Sequence, residues 1–216
     1  MLQTEYTYEY EGVTYPVIIT RKSMRSIRYY FKNGAFYISA PRFLVSKKSI
    51  FDGLDRFAGK LIKADKRSAA RGKDYIYLLG TKVAIAEGGE IPFNDGTKIV
   101  YKSQEDLDKK LKKWFLTYIE KRHRYYENLM GIKKEYKVKV RKMSSRYGSN
   151  SSQTHSICYS LILMHYTSDV IDSVIVHELA HDAVHNHSKT FYDVVYKYCP
   201  NYDLLHKRLR KGEFYD

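Results

Sequence analysis

Apolar and polar positions alternate through the first third of the chain. Residues 15–20, 27–31 and 35–39 are rich in β-branched and aromatic side chains at period two, which predicts three strands. Asn33-Gly34 separates the last two, and both residue types tolerate positive φ, so a two-residue hairpin is expected there. Ala40-Pro41 ends that strand. From Ser46 to about Arg71 the period lengthens, with Ile50, Leu54, Phe57, Leu61 and Ile62 at helical spacing, and Gly72 as the stop. A second hairpin is expected from Tyr75–Leu79 and Thr81–Ala86, turning at Gly80. A Gly-rich connection follows, from Gly88-Gly89 to Gly96, and then a short strand at Ile99–Lys102.

Glu105 to Leu129 carries the strongest helical pattern. Leu107, Leu111, Trp114, Phe115, Tyr118, Ile119 and Arg122 fall on or near one face, with Gly131 as the stop. Lys137–Lys142 and Ser156–Leu163 read as strands, and two helices close the chain. No internal repeat or low-complexity linker interrupts the pattern. The layout is α+β. Residues 1–100 form a β-rich N-terminal part with one helix at about 46–71, and residues 101–216 form a second α+β part that carries the chemistry.

Composition narrows the class. With 216 residues the chain is long enough for one sizeable domain or two small ones, and 44% hydrophobic with 29% charged residues is ordinary for a globular protein. Twenty-two tyrosines are many, and such rings are expected half-buried with a wet hydroxyl. Cys158 and Cys199 form neither a disulfide framework nor a CxxC pair, which fits a reducing compartment. No basic segment followed by an apolar run opens the chain, and no stretch approaches the roughly 18 apolar residues of a membrane span. A cytoplasmic location without a membrane partner is expected. The net charge of +14 points to an anionic partner such as nucleic acid, or else to a solvated basic exterior. The lysines are spread along the chain rather than gathered in one motif.

The chemistry concentrates at His177-Glu178-Leu179-Ala180-His181. Ser168 or Asp169 can cap the helix that carries it, and Val170, Ile171, Val174, Ile175, Val176 and Leu179 make that helix apolar on most sides, so it is expected to be buried. Histidines four apart lie one turn above each other and can converge on one ion. Glu178 then stands beside the ion, placed to take a proton from water. Zinc suits two imidazoles with an open position and brings a bound water to a pKa of about 7; another divalent transition metal would also fit a His-rich site. The third ligand is His185 or His187. An uninterrupted helix would carry residue 187 about 9 Å beyond His181 and onto another face. The helix must therefore end between them. Asn186 suits the turn and Ser188 can cap a following helix with Phe191, Val194, Val195 and Tyr198 on one side. That puts His187 at a corner where it can fold back, with His185 as second choice.

Several segments together resemble the YgjP-like metal-dependent hydrolases, which are similar to SprT-like and other zincin metallopeptidases. They are Ser145-Arg146-Tyr147-Gly148-Ser149, Ile171-Asp172, Val176-His177-Glu178-Leu179-Ala180-His181, Asn186-His187-Ser188-Lys189 with Phe191, and Pro200-Asn201-Tyr202. The family pattern often has Trp in place of Tyr147 and Cys in place of Asn150. The resemblance implies a zincin-like catalytic part, His177, His181 and His187 as zinc ligands, and Glu178 as the catalytic group. It also implies a strand beside the metal helix to hold an extended peptide, with 156–163 as the candidate. Arg146 and Tyr147 are candidate substrate-binding residues. Arg146 would meet a carboxylate or phosphate, or alternatively pair with an acid such as Asp172.

Three functions follow. The first is a zinc metallopeptidase acting on a peptide or protein, with Glu178 as general base. The second, implied by the resemblance, is a pyrophosphatase acting on a nucleotide such as UTP; the three histidines favour a transition metal over magnesium, and no GxxxxGK[ST] loop is present. The third is a nucleic-acid-binding protein stabilised by a metal, which Glu178 argues against, because a structural site needs no general base.

Overall fold

The computed structural model describes residues 3–43, 45–143 and 145–215. The chain divides into two compact units, Met1–Ala69 and Ala70–Asp216. The sequence placed this division near residue 100. It lies earlier because Ile76, Leu78, Ile85, Ile91, Ile99 and Tyr101 are buried in the same core as the C-terminal helices.

The first unit is a four-stranded sheet with one helix. Its strands are β1 (Gln3–Tyr10), β2 (Val13–Lys22), β3 (Arg28–Lys32) and β4 (Ala35–Pro41), in the order β1-β2-β4-β3. β2 and β4 run parallel, and the two outer pairs are antiparallel. The expected hairpin at Asn33-Gly34 is present, with φ of 51° and 75°. β1 was not anticipated, although its tyrosines at 6, 8 and 10 alternate with Glu and Thr. Helix α1 (Lys47–Ser68) follows. One face of the sheet and α1 bury Val17, Ile19, Phe36, Ile38, Ile50, Leu54 and Ala58 in a single cluster. Each of these side chains larger than alanine contributes roughly 1.5–3 kcal/mol on burial. Tyr8 donates to Asp55 at 2.8 Å and Tyr29 to the Ile50 carbonyl at 3.1 Å, which locks the helix in register on the sheet.

The second unit begins with two hairpins. The first is β5 (Tyr75–Leu78) with β6 (Thr81–Ala84), turning at Leu79-Gly80, both at positive φ. The second is β7 (Gly89–Pro92) with β8 (Lys98–Tyr101), so the Gly-rich connection holds a strand of its own. Helix α2 (Gln104–Met130) is capped by the Ser103 side chain and ends at Gly131, whose φ is 71°. A three-stranded sheet comes next: β9 (Lys137–Arg141), β10 (Gly148–Ser151) and β11 (Ser156–Ser160), in the order β10-β11-β9. β11 stops at Ser160, and residues 161–165 turn into a short 3-10 helix instead of continuing the strand to 163.

Three helices close the chain, not two: α3 (Ser168–Ala180), α4 (Lys189–Tyr198) and α5 (Tyr202–Lys211). Thr167 takes the N-cap position of α3, one residue before the two candidates, and Asp169 accepts from the Val170 amide at 2.8 Å. Every residue of α3 from Val170 to Ala180 except His177 is buried, as a helix apolar on most sides requires. α2, α4, α5 and β10 all pack against it.

Asp172 anchors α3 to α2. Arg122 donates to its carboxylate through Nε at 2.9 Å and through a second nitrogen, and Tyr126 donates at 3.2 Å. Arg122 therefore takes the place proposed for Arg146. Burial pushes the Asp172 carboxyl up, and Arg122 and Tyr126 oppose that push. Removing one partner of such a pair strands a buried charge. Arg122→Ala is expected to cost about 2 kcal/mol, less than a fully buried pair because Arg122 is partly exposed. A urea unfolding midpoint equal to that of the parent protein would show that this pair does not anchor the helix.

Candidate metal centre

α3 ends where the sequence required it to end. Its last turn carries His177 and Glu178, His181 is the C-cap, and Ser188 is the N-cap of α4. The six-residue link folds His187 back toward the first two histidines. A ring nitrogen from each of His177, His181 and His187 lies within 4.8 Å of the other two. His177 Nε2 and His187 Nε2 are 3.1 Å apart. His185 is exposed at the rim of the same cavity and is not part of this triad.

The outer nitrogens of the helix histidines are held. His181 Nδ1–H donates to the Val184 carbonyl at 3.1 Å, which leaves its Nε2 lone pair free. His177 Nδ1 lies 2.8 Å from the Tyr202 hydroxyl, so its Nε2 also points inward. Such outer partners fix both tautomer and ring direction. Phe191 forms the floor, with its ring centroid 5.0, 4.6 and 4.9 Å from those of His177, His181 and His187. Burial and the neighbouring histidines push His177 down to about 3, and burial lowers His181 as well. Imidazole nitrogens gathered in this way suit a borderline transition ion, and three of them leave a fourth position open.

Glu178 is buried beside the triad. Burial pushes its carboxyl up to about 7, against opposing pulls from Asn150 and Arg146. β10 makes room for it. A Cβ placed on Gly148 would sit 2.7 Å from both Cγ and Cδ of Glu178, so only glycine lets the strand pass so close. Asn150 Nδ2 donates to the Glu178 carbonyl at 2.8 Å and ties the same strand to the helix. Gly148 and Tyr202 stand in two separate segments of the family resemblance and Asn150 is a departure from its pattern, and the sequence assigns none of these three contacts. Only the three-dimensional pairing reveals what they touch.

The triad and Glu178 open into a cavity of about 410 Å³, lined on the strand side by Arg146, Gly148, Ser149 and Asn150. Of the two candidate substrate residues, exposed Arg146 faces this cavity. Tyr147 is half-buried, donates from its hydroxyl to the Leu209 carbonyl at 2.8 Å, and packs edge-on against Tyr166. Its ring lines a smaller cavity behind His177 and Glu178. The strand expected to hold a peptide, β11, lies in the centre of its sheet with both edges paired. The strand with an open edge beside the histidines is β10.

A model of the YgjP-like metallopeptidase domain matches residues 39–212 of this chain. No curated protein matches. Among solved structures, the metallopeptidase zymogen of Pyrococcus abyssi abylysin is 19% identical, with a TM-score of 0.42 over 45% of this chain and 97% of that one. The metallopeptidase zymogen of Methanocaldococcus jannaschii jannalysin is 18% identical, with a TM-score of 0.38 over 42% of this chain and 96% of that one. Among the described residues, no helix is long and apolar enough to cross a membrane. The family match runs from β4 to the end of α5 and takes in the triad, Glu178 and the strand that abuts them, so the chain belongs to the YgjP-like metallopeptidase-domain family.

Proposed function

We propose that this chain is a zinc metallopeptidase in which His177, His181 and His187 hold the ion and Glu178 moves the proton. The convergence of three imidazoles next to a buried carboxylate carries this reading. When bound, a zinc ion supplies Lewis acidity at the open side of the triad. Glu178 is placed to accept a proton from the attacking water and to return it to the departing amine. Its raised affinity for protons in the apolar setting suits both halves of that task, and a nearby cation lowers it again. Arg146 at the cavity mouth can pair with a carboxylate of the substrate.

The open edge of β10 supports a peptide substrate. An extended segment laid along Gly148–Ser151 would gain main-chain hydrogen bonds and bring its own carbonyls to the cavity. Arg146 would equally meet a phosphate, so a nucleotide such as UTP is the competing substrate. That reading lacks a glycine-rich phosphate loop in the sequence.

Metal content separates the ligand assignments. The parent protein is expected to retain about one zinc per chain, and His187→Ala to lose it far more readily than His185→Ala. The reverse order would place the third ligand at 185. Glu178→Gln is expected to keep the metal and lose at least about 100-fold in kcat on casein. Retained turnover would remove the general base from the scheme, and faster hydrolysis of UTP than of casein by the zinc-loaded protein would replace the peptide with a nucleotide. Gly148→Ala is expected to lower kcat more than tenfold while zinc stays bound, because the added methyl displaces the Glu178 side chain. Full activity in that variant would mean that the carboxylate has room to spare.

A further inference from the structure

The face of the N-terminal sheet opposite α1 carries its own chemistry. The β3–β4 register sets Tyr30 directly across from Tyr37, and the β2–β4 register sets Tyr37 next to Ile18. In the neighbouring row Arg28 stands across from Ser39, and Ser39 beside Thr20. Period-two alternation puts Lys32 on the same face as Arg28 and Tyr30, and Lys22 on the same face as Ile18 and Thr20. Tyr30 is 52% exposed and Tyr37 is 42% exposed. Their side chains, and those of Arg28, Lys32 and Lys22, make no hydrogen bond, ion pair or ring contact with another described residue.

This is an unusual use of tyrosine within the same sheet. Tyr6, Tyr8, Tyr15 and Tyr29 on the opposite face all pack on phenylalanines or donate to the helix. The two on the open face leave ring surface in water, at adjacent positions of adjacent strands roughly 5 Å apart. Around them the charge is segregated. Arg28 and Lys32 lie on β3, Lys22 lies at the end of β2, and the acids of this face, Glu5 and Glu9, lie on β1 at the far edge. Residues 1–69 hold thirteen Lys and Arg against six Asp and Glu, half of the chain's net charge of +14 in about a third of its length. Two rings and one isoleucine offer too little continuous apolar surface for a stable protein interface. Exposed aromatic rings ringed by unpaired cations match the needs of unpaired bases and their phosphates.

We propose that this face binds single-stranded nucleic acid, with bases stacked on Tyr30 and Tyr37 and phosphates paired to Arg28, Lys32 and Lys22. Stacking and phosphate pairing do not use the sugar, so deoxy and ribo strands are both accepted. Paired bases hide their faces, so a duplex binds less well.

The test is fluorescence anisotropy on the full chain with labelled 12-nucleotide dT and rU strands, a duplex of equal length, and poly-glutamate as an acidic peptide, each at several salt concentrations. Single strands are expected to bind more tightly than the duplex or the peptide. Tyr30→Ala and Tyr37→Ala are each expected to weaken binding about 5- to 100-fold, and Tyr30→Phe and Tyr37→Phe to preserve it, because the ring face remains. Arg28→Ala, Lys32→Ala and Lys22→Ala should each reduce the slope of log K against log salt by about 0.7. All five side chains are on the surface, and an unchanged circular dichroism spectrum checks the fold of each variant. Alanine at both tyrosines without effect would reduce the face to a patch of charge and overturn the proposal. Equal binding of duplex, or equal or tighter binding of poly-glutamate, would overturn it too. The readout does not involve the metal centre, so it stands or falls apart from the hydrolytic reading.

Discussion

A carboxylate held inside a buried helix is the constraint around which the second unit is arranged. Glu178 sits on α3, a helix whose other residues from Val170 onward are almost all withdrawn from water. Burying an ionisable group is costly unless something answers for it. Here the compensation is partial: a backbone hydrogen bond from Asn150 and the positive field of Arg146 pull against the burial, the Asn150 side chain fixes the helix backbone next to the carboxylate, and Gly148 removes a side chain that would otherwise occupy its place. The same burial that raises the affinity of Glu178 for protons also keeps His177 neutral. One environment thus holds a proton-avid carboxylate beside a neutral His177, and the packing of α2, α4, α5 and β10 on α3 maintains that environment.

The neighbours of the triad are as structural as they are chemical. Phe191 belongs to the core of α4, yet its ring touches all three imidazoles, so the docking of α4 and the spacing of the histidines are set by one side chain. Tyr202 opens α5, holds His177 through its hydroxyl and stacks at 5.4 Å on His206. A helix that the sequence pattern did not announce therefore aims the His177 ring. At the other end of α3, Arg122 and Tyr126 hold Asp172, about a turn and a half before His177. The helix is pinned at both ends, and the cavity lies beside its pinned last turn.

Much of this was legible in the sequence because helix periodicity and spacing act locally. The ends of α2, the hairpin at Asn33-Gly34, the burial of α3 and the break between His181 and His187 all follow from residue types within a turn or two of each other. The α+β class follows from the same patterns. What stayed hidden depends on pairing at a distance. β10 is only four residues long and reads as Gly-Ser-Asn-Ser, a composition of turns, and it becomes a strand because β11 pairs with it and Glu178 needs its glycine. β7 was hidden for a similar reason, since Gly89 and Pro92 mask the alternation until β8 is laid beside it. Pairing with Asp172 was one of two alternatives for Arg146, and nothing local in the sequence singles out Arg122 as the partner that Asp172 in fact has. Their separation in space is set by α2, whose face presents Arg122 to α3. The early boundary between the units has the same origin, since the two hairpins show their allegiance only through the core they share with α2.

β1 is a different kind of omission, because its signal was local. Tyr6, Tyr8 and Tyr10 alternate with polar residues and turn through Glu11-Gly12, both at positive φ. The alternation sorts tyrosines by face: those at even positions of β1 pack toward Phe36, Phe51 and α1, and the acids between them go to the other side. The same sorting on β3 sends Tyr29 inward and Tyr30 outward. A tyrosine-rich composition therefore does not describe one role. Period two divides it into rings that build a core and rings left for something outside, and on the open face of this sheet the cations Arg28 and Lys32 fall in step with the second group. That coincidence of ring and charge on one strand, and not the overall excess of lysine and arginine, is what gives the basic character of this chain a definite place to act.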